Sequence, residues 1–386
     1  MGNQYREVVA ELLNKAGLTL NGDQSYDPQI HDERFYKRVL SDGSLGLGEA
    51  YMDSWWECEQ LDEFFNRLLR AALDKAAPRN ARTVLTYLKA RLLNLQSMAQ
   101  ATKNATHHYD LGNAFFKSML DKRMVYTCGY WKNADNLDQA QEDKLDLTCR
   151  KLHLQPGMRI LDIGCGWGSF AKFAAERYDV HVTGINVSEP QLQLARESTE
   201  GLDVQFFNMD YRNLTQDLGV FDRIVSLGMF EHVGYKNFRS YFKAAKRCLK
   251  KNGIFLLHTI GATESAIAPD PWIAKYIFPN SKLPSQKQTH EKMEDLFVLE
   301  DLHNFGEDYD PTLMAWFGNF KANWHKLKDY FDDTFYRMWT YYLLCCAGSF
   351  RARKNQLWQM VVTPEGLPHG YEPVRFTKKT ELPEGG

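Results

Sequence analysis

From Arg159 onward, strand-like and helical stretches alternate with a regularity that leaves few folds open. Short apolar runs at Arg159–Ile163, Val180–Val187, Val204–Met209, Arg223–Leu227 and Ile254–Thr259 are separated by helical stretches around 168–178, 189–199 and 236–250. Strands in such a series lie side by side in a parallel sheet, and the helices that connect them cover both of its faces. Two later runs, Phe297–Leu302 and Leu357–Val362, complete a set of seven, with a long aromatic helical region from about Leu313 to Phe350 between them. The pattern predicts an α/β, Rossmann-like seven-stranded sheet. The tail from Pro364 to Gly386 is rich in Pro and Gly and reads as mobile.

The first hundred residues have a different texture. Leu61 to Ala76 and Arg82 to Gln96 read as two helices with apolar stripes. Arg67, Arg70, Arg79, Arg82, Lys89 and Arg91 lie on their other faces. Acids outnumber bases over residues 1–63, and the balance inverts over 64–103, where Asp74 is the only acid. A basic helical face with an apolar stripe can dock on anionic lipid, although an ordinary bundle with a solvated charged face gives the same pattern. The polar stretch Ser97–Thr106 has no periodicity and reads as a linker. The expected division is therefore a helical accessory domain at 1–96, a linker at 97–106 and a catalytic domain at 107–386.

Whole-chain chemistry excludes several classes. Lys plus Arg is 47 and Asp plus Glu is 49, so no global charge favours nucleic acid. Seven cysteines include no Cys-x-x-Cys pair and no metal-ligand spacing, as expected of reduced thiols and no metal site. No stretch approaches the roughly 18 apolar residues of a membrane span, and no apolar signal core follows Met1. A cytoplasmic protein is expected.

Arg159-Ile-Leu-Asp-Ile-Gly-Cys-Gly-Trp-Gly168 is a strand that enters a Gly-rich turn and then a helix. Gly164 and Gly166 allow a tight turn and close approach of a ligand to the backbone. The spacing Asp-x-Gly-x-Gly-x-Gly differs from the dinucleotide fingerprint, and with the seven-strand set it resembles the S-adenosylmethionine-dependent methyltransferases. That resemblance implies a cofactor site at Asp162, Gly164, Gly166 and Gly168. Most of the superfamily ends its second strand with an acid; here Asn186 stands in its place, with Gln191 nearby.

Further motifs appear in order: His108-Tyr-Asp-Leu-Gly-Asn113, Tyr126-Thr-Cys-Gly-Tyr-Trp131, Gly228-Met-Phe-Glu-His-Val-Gly234, His258-Thr-Ile260, Asp270-Pro-Trp-Ile-Ala-Lys-Tyr-Ile-Phe-Pro279 and Phe350-Arg-Ala-Arg353. Ser44-Leu-Gly-Leu-Gly-Glu-Ala-Tyr-Met-Asp-Ser-Trp-Trp-Glu57 extends the set into the first domain. Together they resemble the cyclopropane fatty acid synthase family. The resemblance implies transfer of a methylene group from S-adenosylmethionine to the cis double bond of an unsaturated phospholipid. It also implies a bound bicarbonate as base, held by Cys128, Glu231, His258, Ile260 and Tyr309, with backbone N–H groups at Cys128 and Ile260 completing the cage. Direct general-base action by Glu231 is the alternative.

On the same resemblance, Tyr126 and Thr127 cover the methionine part of the cofactor, and Asp210 and Tyr211 take the adenine. Cys346 matches a cysteine once favoured for catalysis, yet a Cys in an apolar helix is more often a core side chain. Cys165 fits the turn by its size. His107 and His108 can touch lipid phosphate or simply cap a helix. Trp55-Trp56 fits a bilayer boundary or a core, and Ala262–Lys287 has the length of a lid. A homodimer at the inner face of the membrane, associated peripherally, is also implied. Rival readings are a methyltransferase acting on another lipid or an amine, and a lipid-binding protein with an inactive module.

Overall fold

The computed structural model describes residues 2–73, 111–265, 269–279 and 281–376. The expected helix 82–96, the linker 97–106, His107, His108 and the bases Arg79, Arg82, Lys89 and Arg91 lie outside the described residues.

Seven strands form one sheet: β3 (Arg159–Ile163), β4 (His181–Asn186), β5 (Val204–Asn208), β6 (Phe221–Leu227), β7 (Leu249–Ala262), β8 (Val298–Asn304) and β9 (Asn355–Thr363), in the order β5-β4-β3-β6-β7-β9-β8. The helices Leu137–Lys151, Ser169–Tyr178 and Glu189–Ser198 pack on one face, and Phe238–Cys248 and Gln286–Met293 on the other. The sheet departs from the expected parallel arrangement at one strand. β9 is antiparallel to both β7 and β8. The cause lies in the aromatic region, which is two helices, Tyr309–Asn323 and Asp333–Arg351, instead of one continuous run. A helical hairpin returns the chain to the sheet edge it left, so β9 enters from the carboxyl end of β7, where Ala262 pairs with Asn355.

Residues 2–73 form the helices Gly2–Lys15, Arg34–Met52 and Leu61–Arg70 and a two-stranded ribbon, β1 (Gln29–Ile30) with β2 (Trp56–Glu57). Their apolar side chains belong to the same core as the helical hairpin: Phe64 and Phe65 of the third helix join Tyr341 and Phe350. Arg351 ties the two parts further, pairing with Asp62 at 2.7 Å and with Asp310 at 2.8 Å. Trp56 is fully buried and donates from Nε1 to the Leu47 carbonyl at 3.0 Å. It is a core residue and does not face a bilayer. Trp55 lies under the guanidinium groups of Arg34 and Arg38, 4.5 and 4.6 Å from its ring.

The helix Pro271–Tyr276 in the expected lid is clasped to the Arg34–Met52 helix. Trp272 packs against Gly48, where any side chain would strike its indole ring, and Lys275 pairs with Glu49 at 2.6 Å. Residues 364–376, which composition places in a mobile tail, are held down. Tyr371 stacks on His153 with ring centres 4.9 Å apart, and Arg375 pairs with Asp301.

Candidate active site

The glycine turn follows β3, at the carboxyl edge where open α/β sheets receive ligands. Gly164, Gly166 and Gly168 have φ of +83°, +55° and +78°, a region costly for residues with a side chain. Their surroundings differ. A Cβ on Gly166 would meet nothing within 4 Å and would project into the cavity, whereas one on Gly164 would strike Met229 at 2.6 Å. A Cβ on Gly168 would strike Phe206 at 2.8 Å and Ala195 at 3.0 Å. Gly168 therefore lets helix and sheet pack closely and is not among the cavity-lining residues.

Every other sequence-predicted cofactor residue lines this cavity: Tyr126, Thr127, Asp162, Gly164, Gly166, Asn186, Gln191, Asp210 and Tyr211. Asn186 donates to Gln191 Oε1 at 2.9 Å and accepts the Val187 N–H at 2.8 Å, so the pair is held ready at the end of β4. Asp210 pairs with Arg212 at 2.7 Å. Asp162 is buried, and its Oδ2 has no hydrogen-bond partner among the described residues. Burial pushes its carboxyl up to about 7, against the pull of Lys144. Aromatic rings wall the cavity toward the hairpin. Tyr126 stands 5.3 Å from Phe116 and 5.0 Å from Trp316, and Phe116 stands 5.0 Å from Trp167.

The predicted catalytic residues lie behind this wall and do not line the cavity. Glu231 follows β6 in a short turn, next to the cavity-lining His232. Its Oε1 accepts the Ile260 N–H at 2.6 Å, so that backbone group orients the carboxylate instead of facing an ion. Oε2 is buried without a hydrogen-bond partner among the described residues. Burial raises the Glu231 carboxyl to about 7, although the Ile260 N–H opposes the rise. Tyr309 opens the first helix of the hairpin, stacks on Phe350 at 4.4 Å and lies within electrostatic reach of Cys128, Glu231, Tyr126 and Cys346. Burial raises its phenol well above the usual range, so it stays a hydrogen-bond donor. Cys128 is fully buried and its thiol is likewise pushed up by burial. Cys346 lies on the second hairpin helix and is half-buried. His258, 1% exposed, meets Gln359 and Phe305.

Sequence reasoning missed Lys144, Lys151 and His232. Lys144 lines the cavity, is completely buried and donates to Thr127 Oγ1 at 2.8 Å. Burial lowers its ammonium to about 8, opposed by Asp121, Cys128 and Asp162. No sequence signal distinguishes it from a surface lysine. His232 is adjacent to Glu231, and burial lowers its imidazole to about 4.

The raised Glu231 carboxyl has a consequence for stability. Between the ordinary Glu pKa and about 7, the folded state binds a proton that the unfolded state releases, so stability falls as pH rises through that window. Relative to Glu231→Gln, the wild type should lose up to about 3 kcal/mol between pH 4.5 and 8. For a chain this size that is roughly 4 °C in Tm. Thermal melts of both proteins at several pH values measure it; parallel curves would contradict the buried carboxylate.

Comparison with known proteins places this geometry. The family profile described as mycolic acid cyclopropane synthetase matches residues 96–360. The cyclopropane-fatty-acyl-phospholipid synthase of Escherichia coli is 52% identical over 373 residues, 97% of this chain and 96% of that protein. Cyclopropane mycolic acid synthase 2 of Mycobacterium leprae is 34% identical, covering 66% of this chain and 91% of its own. The solved cyclopropane synthase MmaA2 from Mycobacterium tuberculosis matches with a TM-score of 0.64 at 30% identity, over 68% of this chain and 98% of that one. The mycolic acid cyclopropane synthase CmaA1, solved with SAH and CTAB, matches with the same TM-score at 31% identity, over 68% of this chain and 98% of that one. With most of its length matched by the profile and nearly all of it aligned at 52% identity, the chain belongs to the mycolic acid cyclopropane synthetase family.

Proposed function

We propose that this protein is a cyclopropane-fatty-acyl-phospholipid synthase, which transfers a methylene group from S-adenosylmethionine to the cis double bond of an unsaturated phospholipid. The near-full-length likeness to the Escherichia coli synthase carries the reading, because it includes the N-terminal residues as well as the glycine turn. The cavity fits the cofactor: Gly166 leaves its floor open, and Asn186, Gln191, Asp210 and Tyr211 offer polar groups around it. S-adenosylmethionine supplies an electrophilic methyl group when bound.

The chain's own groups do the rest. An alkene is a weak nucleophile, so the walls must hold it in line with the methyl group. The cavity-lining Tyr126 and Trp167 rings, backed by Phe116 and Trp316, keep water from the positive charge that develops on the acyl chain, and the lining rings stabilise it. Bicarbonate, as the resemblance implies, supplies the base that takes the proton before ring closure. The residues fit such an ion: Glu231 Oε2 is a buried acceptor that meets no donor within hydrogen-bond geometry among the described residues, and Tyr309 and His258 are buried donors. Ile260 borders the same region through its N–H on Glu231, and Cys128 lies within electrostatic reach of Tyr309. Cys346 is given no chemical step. Incubation with labelled S-adenosylmethionine and vesicles of unsaturated phospholipid, followed by mass analysis of the fatty acids, tests the reading. A gain of one CH2 with loss of the alkene protons and appearance of cyclopropane ring protons in NMR of the same fatty acids supports it; a methyl-branched alkene of equal mass, or methylation of an amine, identifies another reaction instead.

The reading extends to a peripheral site of action at the cytoplasmic face of a membrane, and to a homodimer that light scattering would detect. No described helix is long and apolar enough to cross a bilayer. Arg67 is already paired with Glu63 at 3.0 Å and lies over Tyr26, so lipid attraction must come from Arg70 and the bases at Arg79, Arg82, Lys89 and Arg91. Binding to anionic vesicles should weaken with salt. Reversing Arg70, Arg82 and Arg91 should release the protein, at up to about 1 kcal/mol per charge. Equal sedimentation with neutral and anionic vesicles would leave these bases as solvated surface.

A further inference from the structure

A row of buried polar side chains crosses the antiparallel part of the sheet. His258 on β7, Gln359 on β9 and His303 on β8 stand directly opposite one another in the strand register, so all three leave the same face. The Leu137–Lys151 helix covers that face and sets Thr148 and Lys151 against Gln359. Gln359, Thr148 and Lys151 are completely buried. Burying such groups is costly unless each finds a partner.

The Gln359 amide finds all of them. The Thr148 hydroxyl gives its hydrogen to the Lys144 carbonyl at 2.8 Å, which leaves its oxygen to accept. Gln359 Nε2 donates to that oxygen at 3.1 Å, while Oε1 accepts from Lys151 Nζ at 2.7 Å. These two contacts fix which end of the amide is nitrogen. The second Nε2 hydrogen then points at His258 Nδ1, 3.3 Å away. A neutral imidazole that accepts at Nδ1 carries its hydrogen on Nε2. His258 is held neutral chiefly by its burial, with the nearby lysines Lys144 and Lys151 acting in the same direction.

We propose that Gln359, anchored by Thr148 and Lys151, is a positioning residue that sets the tautomer of His258, so that the ring presents an Nε2–H donor to the site at the end of β7. What that donor meets rests on the bicarbonate reading above; the tautomer does not.

Nitrogen-15 NMR of histidine-labelled protein tests the tautomer without substrate or added bicarbonate. The His258 signals are assigned by their loss in His258→Gln. In the wild type, Nδ1 should give the unprotonated resonance and Nε2 the protonated one. Gln359→Glu keeps the size and the Lys151 contact, but its carboxylate can only accept. The His258 hydrogen should move to Nδ1, and ring formation should fall by up to about ten-thousandfold, the loss seen when a catalytic imidazole holds the wrong tautomer. S-adenosylmethionine affinity should not change. A wild-type hydrogen on Nδ1 would overturn the proposal even if the variant failed to fold. So would a folded Gln359→Glu with unaltered tautomer and turnover. Bicarbonate dependence, measured in parallel on the wild type, reports on the ion alone.

Discussion

Glu231→Gln should keep near-normal S-adenosylmethionine affinity while ring formation falls on the order of a hundredfold to ten-thousandfold, the range typical for loss of an oriented proton-transfer group. The geometry makes this a clean substitution. The Gln carbonyl can still accept the Ile260 N–H that Glu231 Oε1 accepts at 2.6 Å, so the local backbone has no reason to move. What disappears is the buried acceptor at Oε2 and its charge. Wild-type activity should also fall in degassed, bicarbonate-free buffer and recover when bicarbonate is restored. Full turnover in the variant, with no effect of bicarbonate removal on the wild type, would show that the proton leaves by another route.

Gly166→Val should abolish measurable cofactor binding, a loss of at least about a hundredfold, or roughly 2.7 kcal/mol. Its side chain would stand in the cavity, where a Cβ meets no protein atom within 4 Å. The left-handed φ of +55° adds a stability cost of about 1–2 kcal/mol, small enough for the fold to survive. The neighbouring turn residue behaves differently. At Gly164 a side chain collides with Met229 at 2.6 Å, so Gly164→Val should damage the turn itself as well as binding. Calorimetry with S-adenosylmethionine and a thermal melt separate the two effects. Wild-type affinity in folded Gly166→Val would mean that the cofactor lies elsewhere.

The sheet was legible because strands buried on both sides, such as Arg159–Ile163 and Leu357–Val362, read as mainly apolar runs, interrupted within by Asp162 and Gln359 and bounded by turn residues. The direction of β9 was not. It depends on whether one helix or two precede the strand, and the break between Asn323 and Asp333 interrupts an aromatic pattern that otherwise continues. The cavity residues followed from the turn and the strand ends. The polar row did not, because the helix that supports it buries Gln141, Asp143, Lys144, Thr148 and Lys151 among Leu145, Leu147 and Cys149, which blurs the apolar stripe that would reveal its buried face. Lysines are ordinarily surface residues, and only tertiary placement shows that these two are not. Adjacent Trp55 and Trp56 make the same point: one is fully buried and the other is stacked beneath two arginines.

The core that Phe64 and Phe65 share with Tyr341 and Phe350 also constrains how the chain is made. Whatever the first seventy residues form as they leave the ribosome, the part of their apolar face that meets Tyr341 and Phe350 stays uncovered by those side chains until the helical hairpin is translated. At ordinary elongation rates that interval is roughly a quarter of a minute to a minute. Throughout it the nascent chain carries an adhesive surface, and every strand up to β8 is synthesised before the two ends can meet, a contact of large sequence separation. A synonymous-codon or temperature change that slows translation between these segments should therefore lower the yield of folded protein without altering a single contact in the finished molecule.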